Sequence, residues 1–390
     1  MPSRMFGTRA GRRAFALLIL GASLLSGAVN ALLATCGPFT DVAADAFCPF
    51  VLEIFYLGIT TGTTATTYDP ASNVSRLQMA AFLSRTVDRV LKRGGRRAAL
   101  NQFWTTQNAT VLGLTTVGLS PNLVACDGAD IWVANADDNT VSRVRASDGK
   151  LLETWTGANV AYAVLSAMGK VFVTGPDASS KLYQIDPAQP AGAVTIVSSS
   201  IGASPFAIAF DGARIWTANG GASVSIVTPG VTIPWTVTTV TTGFSLQQGI
   251  LWDGANIWTT RGAPAAILKL DSSGAILQTV TLPDPRHPIF DGNNIWVPNG
   301  TSASISVVRP STGAILATLT ANGLNQPIAG AFDGQRLLIT DIGAGNVSLW
   351  KAADLTLIGV FALGTSPFGA CSDGIAFWLT FPVTNKLARF

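Results

Sequence analysis

His287 is the only histidine in the 390-residue chain. It stands in Asp284-Pro285-Arg286-His287-Pro288, next to an arginine and on the same short segment as a carboxylate. Acid–base, nucleophilic or metal chemistry normally needs such a group to have a partner: a second ligand, or a base and the residue that orients it. Glutamate supplies little, since Glu53 and Glu153 are the only two. One histidine without a partner cannot build a metal or nucleophile site of the known kinds. Asp137-Asp138-Asn139 has the oxygen donors of a Ca²⁺ loop, but a solvated turn uses the same residues. There is no glycine-rich phosphate cradle and no carboxylate pair at a catalytic spacing. The residues imply no cofactor and no resident metal. They point to binding.

Any site must be placed by the elements that carry it, and here those elements repeat. Phe210-Asp211-Gly212-Ala213-Arg214-Ile215-Trp216 returns in variant form at 126–132, 252–258, 290–296, 332–338 and 372–378, and in degenerate form at 167–172. The shared glycines, at 128, 169, 212, 254, 292, 334 and 374, are spaced by 38 to 43 residues. A period near that value is the signature of a four-stranded propeller blade. In the third copy, 204–210, 215–218, 223–227 and 235–241 read as four strands. The Asp-Gly pair makes the first hairpin turn, with glycine supplying positive φ. The aromatic residue after it reads as packing between blades. The last copy stops after three strands, and 109–118 supplies the missing one. The expectation is an all-β, seven-bladed β-propeller over 105–390, its N-terminal strand closing the C-terminal blade.

In such a ring the loops leading into the innermost strands converge on one mouth of the central channel. Their polar and aromatic members are Asn122, Tyr162, Gln247, Gln248, Arg286, His287, Asn325 and Gln326. A largely neutral ring of this kind suits a peptide or a sugar. Glu153 falls on an outer strand of the first blade, far from the channel.

The N-terminus has its own composition. Arg4, Arg9, Arg12 and Arg13 precede an apolar core over 14–25, and Val29-Asn30-Ala31 offers small residues for cleavage. Residues 1–31 therefore read as an export signal. Arg12-Arg13 gives it a weak twin-arginine character, and Thr35 before Cys36 makes a poor lipidation site. Its removal leaves 21 basic against 22 acidic side chains. No basic excess remains for nucleic acid. No later apolar run is long enough to span a bilayer. Four cysteines in an exported chain suggest disulfides. Cys36 and Cys48 flank a short loop. Cys126 and Cys371 precede the first and last Asp-Gly turns, which a closed ring makes neighbours. They are offset by one residue relative to the turn, which would point them to opposite faces.

Residues 36–92 read as a small helical module. Phe47, Phe50, Val51, Ile54, Phe55 and Leu57 recur at helical spacing, and Gly58 stands in the terminating place. A second helix is expected over 76–92, capped by Asn73 or Ser75. Lys92, Arg93, Arg96 and Arg97 read as a solvated tether within a linker over 93–104. Phe39-Thr40-Asp41-Val42, Leu57-Gly58-Ile59-Thr60-Thr61-Gly62, Tyr68-Asp69-Pro70 and the run from Val74 through Arg76 to Leu83 together resemble an S-layer homology (SLH) module. The resemblance implies attachment to cell-wall polysaccharide or a surface-layer component. It also implies an anionic-sugar pocket to which Arg76 contributes, at a helix N-terminus that favours anions. Such modules usually come in threes; this chain has one, with Gln78 where glutamate is frequent.

Ile131-Trp132-Val133-Ala134-Asn135 followed by Thr140-Val141-Ser142-Arg143-Val144, and Val307-Val308-Arg309-Pro310-Ser311-Thr312-Gly313, resemble YVTN/NHL-type propellers, including the streptogramin lyase-like branch. That group spans enzymes and binding scaffolds, so the resemblance implies fold more than function. The expectation is an exported cell-surface protein whose SLH-like module tethers a non-catalytic propeller that binds protein or carbohydrate. The alternative is a propeller lyase or hydrolase with a channel-mouth site near His287.

Overall fold

Asp211 organises its turn with both carboxylate oxygens. In a computed structural model describing residues 36–43, 47–56, 59–93, 113–177 and 180–390, Oδ1 accepts the backbone N–H groups of Ala213 and Arg214 at 2.8 and 2.6 Å. Oδ2 accepts the indole N–H of Trp216 at 2.7 Å. Asp127, Asp253, Asp291 and Asp373 make the same bond to Trp132, Trp258, Trp296 and Trp378. Blade 6 has Leu338 in place of the tryptophan, and there Arg336 Nε donates to Asp333 instead. Burial disfavours the Asp211 charge, but the indole and backbone N–H groups outweigh it and hold the carboxyl below its ordinary range. The repeated aspartate is thus a turn cap that also satisfies a buried indole.

The turns connect seven four-stranded antiparallel sheets, the blades of a propeller. Blade 1 runs outward from Pro121–Cys126 through Asp130–Asn135 and Thr140–Arg145 to Leu151–Thr156. The inner strands of blades 2 to 6 are Ala163–Ala167, Pro205–Phe210, Gln247–Trp252, Ile289–Phe290 and Pro327–Phe332. Blade 7 takes Ala370–Ser372, Phe377–Phe381 and Lys386–Arg389 from the C-terminus and Gly113–Thr116 from the start of the ring. Gly113 pairs with Arg389 and Thr116 with Lys386, which closes the circle. Glu153 lies on the outer strand of blade 1.

The core lies between blades. Trp216 and Ile226 of blade 3 pack with Ile250 and Leu268 of blade 4, and Ile131 and Val133 of blade 1 pack with Trp378 and Leu387 of blade 7. Six tryptophans, each after or near a turn, are among the largest fully buried side chains. Each blade has apolar side chains on both faces because a neighbour covers each face.

Cys126 and Cys371 are bonded across the junction of blades 1 and 7, with Cα atoms 5.8 Å apart. Their one-residue offset is what brings them together. The strand alternation rule separates faces within one sheet, but neighbouring blades pack opposite faces against each other. Residues one step out of phase therefore meet.

The chain divides into two compact units, Met1–Thr105 and Thr106–Phe390. The described part of the first holds α1, Cys48–Tyr56, and α2, Arg76–Arg93. Cys36 is bonded to Cys48. Phe39 is buried, with its ring centroid 5.0 Å from that of Phe55 and 5.5 Å from that of Tyr68. Asp41 accepts the N–H groups of Tyr68 at 2.9 Å and Asp69 at 2.7 Å. Those two N–H groups hold its carboxyl below the usual range. Ser75 caps α2: Gln78 N–H donates to Ser75 Oγ at 3.2 Å, and Ser75 N–H donates to Gln78 Oε1 at 2.9 Å. This is a reciprocal capping box, and glutamine serves it as glutamate would. The expected export segment and most of the linker lie outside the described residues, as do Gly58 and the side chains of Lys92 and Arg93. Among the described residues no helix is long and apolar enough to cross a membrane.

Candidate functional site

The inner strands of blades 1 to 4 are each preceded by a residue in the left-handed region: Ser120, Val160, Ser204 and Leu246, with φ of 55°, 46°, 56° and 49°. The conformation turns a carbonyl toward the loop between the blade's second and third strands. Ser120 O accepts Ala136 N–H at 3.1 Å, Ser204 O accepts Gly220 N–H at 2.8 Å, and Leu246 O accepts Gly262 N–H at 3.1 Å. These bonds fix one end of the ring, and the inner strands begin there.

Adjacent inner strands are also locked to each other. Leu123 N–H donates to Tyr162 O at 3.0 Å, and His287 N–H donates to Ile328 O at 3.1 Å. The hydroxyls of Thr380 and Thr340 donate to Asn122 O and Phe368 O, both at 2.6 Å. Glycine is required at Gly249, where neighbouring inner strands approach closely. A Cβ on Gly249 would stand 2.5 Å from Pro288 Cδ and 2.9 Å from His287 Cα.

This scaffold brings four rings together. Tyr162 of blade 2 lies 5.8 Å from Phe368, which leads into blade 7, and 6.4 Å from His287, which leads into blade 5. His287 and Phe368 are 6.3 Å apart. Phe206 of blade 3 meets Tyr162 edge-on at 5.4 Å. Non-adjacent blades can touch only across the central axis, so the rings close the channel as an aromatic floor. All four are half-buried.

Two members of the floor, Phe206 and Phe368, are absent from the residues singled out by sequence. A signal for them exists. Ser204-Pro205-Phe206 and Ser366-Pro367-Phe368 each put the phenylalanine five residues before the turn aspartate, Asp211 or Asp373. Asn122, Gln248 and Arg286 hold the same place before Asp127, Asp253 and Asp291. Comparing that one column across the repeats picks out Phe206 and Phe368; His287 lies one place beyond it, four residues before Asp291.

The polar candidates are largely engaged within the protein. Asn122 Nδ2 donates to Ser120 O at 3.2 Å. Gln247 is fully buried, and its amide nitrogen serves the carbonyls of Ser245 and Thr260 at 3.0 and 3.2 Å. Gln248 Oε1 accepts from Arg286 Nη1 at 2.8 Å. Arg286 Nη2 pairs with Asp284 Oδ2 at 2.9 Å, and its buried Nε has no partner. Asp284 also accepts the N–H and hydroxyl of Thr301. Asn325 is exposed and Gln326 half-buried; their backbone N–H groups donate to Asp341, and neither side chain has a hydrogen bond among the described residues. Asp138 accepts Leu119 N–H and the Thr140 hydroxyl, and Asn139 Oδ1 accepts Val160 N–H, so that triplet builds the mouth loops. Among the described residues no three His, Cys, Asp or Glu side chains are grouped to hold a metal ion.

Tyr162 and His287 differ from the rest. Neither the Tyr162 hydroxyl nor either ring nitrogen of His287 has a hydrogen-bond partner among the described residues. Burial, and behind it the Arg286 guanidinium, push His287 down to about 4. Burial pushes Tyr162 up to about 12, against the pull of the same guanidinium. At neutral pH both groups are uncharged, and Arg286 beside them is paired with Asp284.

In the first unit, Arg76 is the first residue of α2, exposed, directly after the Ser75 cap. Among the described residues of its motif set, Phe39 packs on Tyr68, and Asp41 holds Tyr68 and Asp69.

Residues 38–80 match the S-layer homology domain family. The propeller is similar to a streptogramin B lyase structure, with TM-score 0.60 and 16% identity, over 73% of this chain and 99% of that one. It is also similar to a catalytically inactive virginiamycin B lyase from Staphylococcus aureus solved with quinupristin, with TM-score 0.59 and 19% identity over 71% and 98%. A third likeness is the WD40 propeller domain of Doa1, with TM-score 0.59 and 13% identity over 72% and 97%. At these identities the likeness is one of fold. No curated protein matches the chain in sequence.

Proposed function

We propose that this is an exported cell-surface protein. In this reading the S-layer homology domain holds it to cell-wall polysaccharide, and the propeller binds a partner at its channel mouth without catalysing a reaction. The domain match over 38–80 carries the reading. Arg76 supports it, since it is exposed at a capped helix N-terminus while Phe39, Asp41, Tyr68 and Asp69 of its motif are engaged with each other. A cation beside free helix N–H groups is suited to an anionic sugar. The test is co-sedimentation of the mature protein with purified cell walls. Retention that falls at least tenfold in Arg76→Ala supports the reading. No retention, or retention indifferent to Arg76→Ala, overturns it.

A lyase or hydrolase reading has one observation in its favour: the ring nitrogens of His287 have no hydrogen-bond partner among the described residues. Asp284, the carboxylate on the same loop, is engaged by Arg286 and Thr301 and is not free to act as its partner. Incubation with quinupristin should leave that compound intact. Turnover abolished by His287→Ala would establish the enzyme reading instead.

A further inference from the structure

The left-handed residues at the mouth differ in a way that the backbone does not require. Ser120 and Ser204 show that a small polar residue serves the geometry in blades 1 and 3. In blades 2 and 4 the same place holds Val160 and Leu246, which are 37% and 55% exposed. The left-handed region is costly for a residue with a Cβ, and a β-branched residue is an outlier there. Neither side chain is fully covered within the chain. They stand at the end of the ring where the inner strands begin, as do the half-buried rings of the aromatic floor.

The floor adds the second half. It has two unpartnered polar groups, on Tyr162 and His287, among phenyl rings. The charge beside it is neutralised by the Arg286–Asp284 pair, so it offers no net charge to an anion or a cation. Most of the amides that a sugar would need are engaged with the protein's own carbonyls or with Arg286. The four rings offer apolar surface with two hydrogen-bonding points, and of the mouth amides those of Asn325 and Gln326 are the ones without a hydrogen bond among the described residues.

Building on the reading of the mouth as a binding site, the geometry points to a peptide ligand. It inserts an uncharged aromatic side chain onto the Tyr162, Phe206, His287 and Phe368 floor and lays aliphatic neighbours on Val160 and Leu246. The Tyr162 hydroxyl and the His287 imidazole hydrogen-bond the peptide's polar groups.

The test is selection of phage-displayed random dodecapeptides on the mature full-length chain, followed by affinity measurement with a synthetic peptide from the selection. The expected sequences share one uncharged aromatic position with aliphatic neighbours. The double variant Val160→Ser, Leu246→Ser should weaken binding at least tenfold with the melting temperature unchanged, since serine occupies the sister positions. Replacing the peptide's aromatic residue with alanine should weaken it at least as much. Peptide binding that is indifferent to the double variant, or enriched peptides without an aromatic, overturns the proposal. Chitohexaose serves as the carbohydrate arm. If it binds, and Asn325→Ala with Gln326→Ala abolishes that binding while no peptide is enriched, the mouth is a binding site but not for peptides. If neither probe binds, both readings fall.

Discussion

The indole nitrogen of Trp216 donates to Asp211 Oδ2 at 2.7 Å, five residues back across a hairpin turn. The carboxylate that receives it is 7% exposed, and its other oxygen caps two backbone N–H groups. Asp211→Ala leaves a buried indole N–H without an acceptor and removes the cap. The expected loss is about 2–4 kcal/mol in urea unfolding. Asp271→Ala, in an exposed turn capped by the same kind of bond, should cost about 1 kcal/mol or less. Equal losses at the two sites would show that the indole bond contributes nothing beyond the cap.

The Cys126–Cys371 bond spans 245 residues of chain. Its loss frees a large unfolded-state loop, and removal of native disulfides typically costs about 2–5 kcal/mol. Cys126→Ser with Cys371→Ser should lower the melting temperature while the far-ultraviolet spectrum at room temperature stays that of the wild type, because the Gly113–Thr116 strand still closes the ring. A double variant as stable as the wild type would contradict this.

In the first unit the Ser75–Gln78 capping box ties the start of α2. Ser75→Ala should destabilise that unit by about 1 kcal/mol. Gln78→Glu keeps the reciprocal geometry and adds a negative charge near the helix N-terminus, so it should be neutral or stabilising by about 0.3–1 kcal/mol. Amide hydrogen exchange over α2 reads both changes without interference from the propeller.

His287 carries a pH signature. Its folded value is pushed below the ordinary 6.5 to about 4, so the unfolded chain takes the proton first as pH falls. This group therefore leaves stability unchanged above about 6.5 and erodes it from there down to about 4. Below 4 its effect is constant. His287→Gln should remove that part of the acid destabilisation. The measurement is the difference in unfolding free energy between the two proteins at pH 7, 5.5 and 4. A gap that does not change with pH would show that His287 titrates normally.

The fold was legible because the repeat writes it many times over. Asp-Gly followed by Ile-Trp marks each turn and the core beside it, and the unmatched strand near Gly113 shows how the ring closes. The candidate site was legible only in part, because its side chains sit where the repeats disagree. Tyr162 and His287 stand out by residue type. Phe206 and Phe368 look like ordinary members of an apolar strand, and only their shared distance from the turn aspartate reveals them. The amides misled for a different reason. Spacing places Asn122, Gln247 and Gln248 at the mouth, but it does not say that Ser120, Thr260 and Arg286 already hold them. The cysteine offset was read with the rule for one sheet, whereas the bond joins two.

The cystine between blades 1 and 7 also bears on mechanical load. Tension arriving through the N-terminal connection enters the ring at the Gly113–Thr116 strand, held to Lys386–Arg389 by four residue pairs. With hydrogen bonds alone, peeling that strand would part blade 1 from blade 7 and unravel the ring blade by blade. Here the peeling segment ends at Cys126, where the pull passes through a covalent bond into blade 7. Force can draw out the stretch from Gly113 to Cys126, the closing strand and then the inner strand of blade 1, while the bond still joins that point of the chain to blade 7.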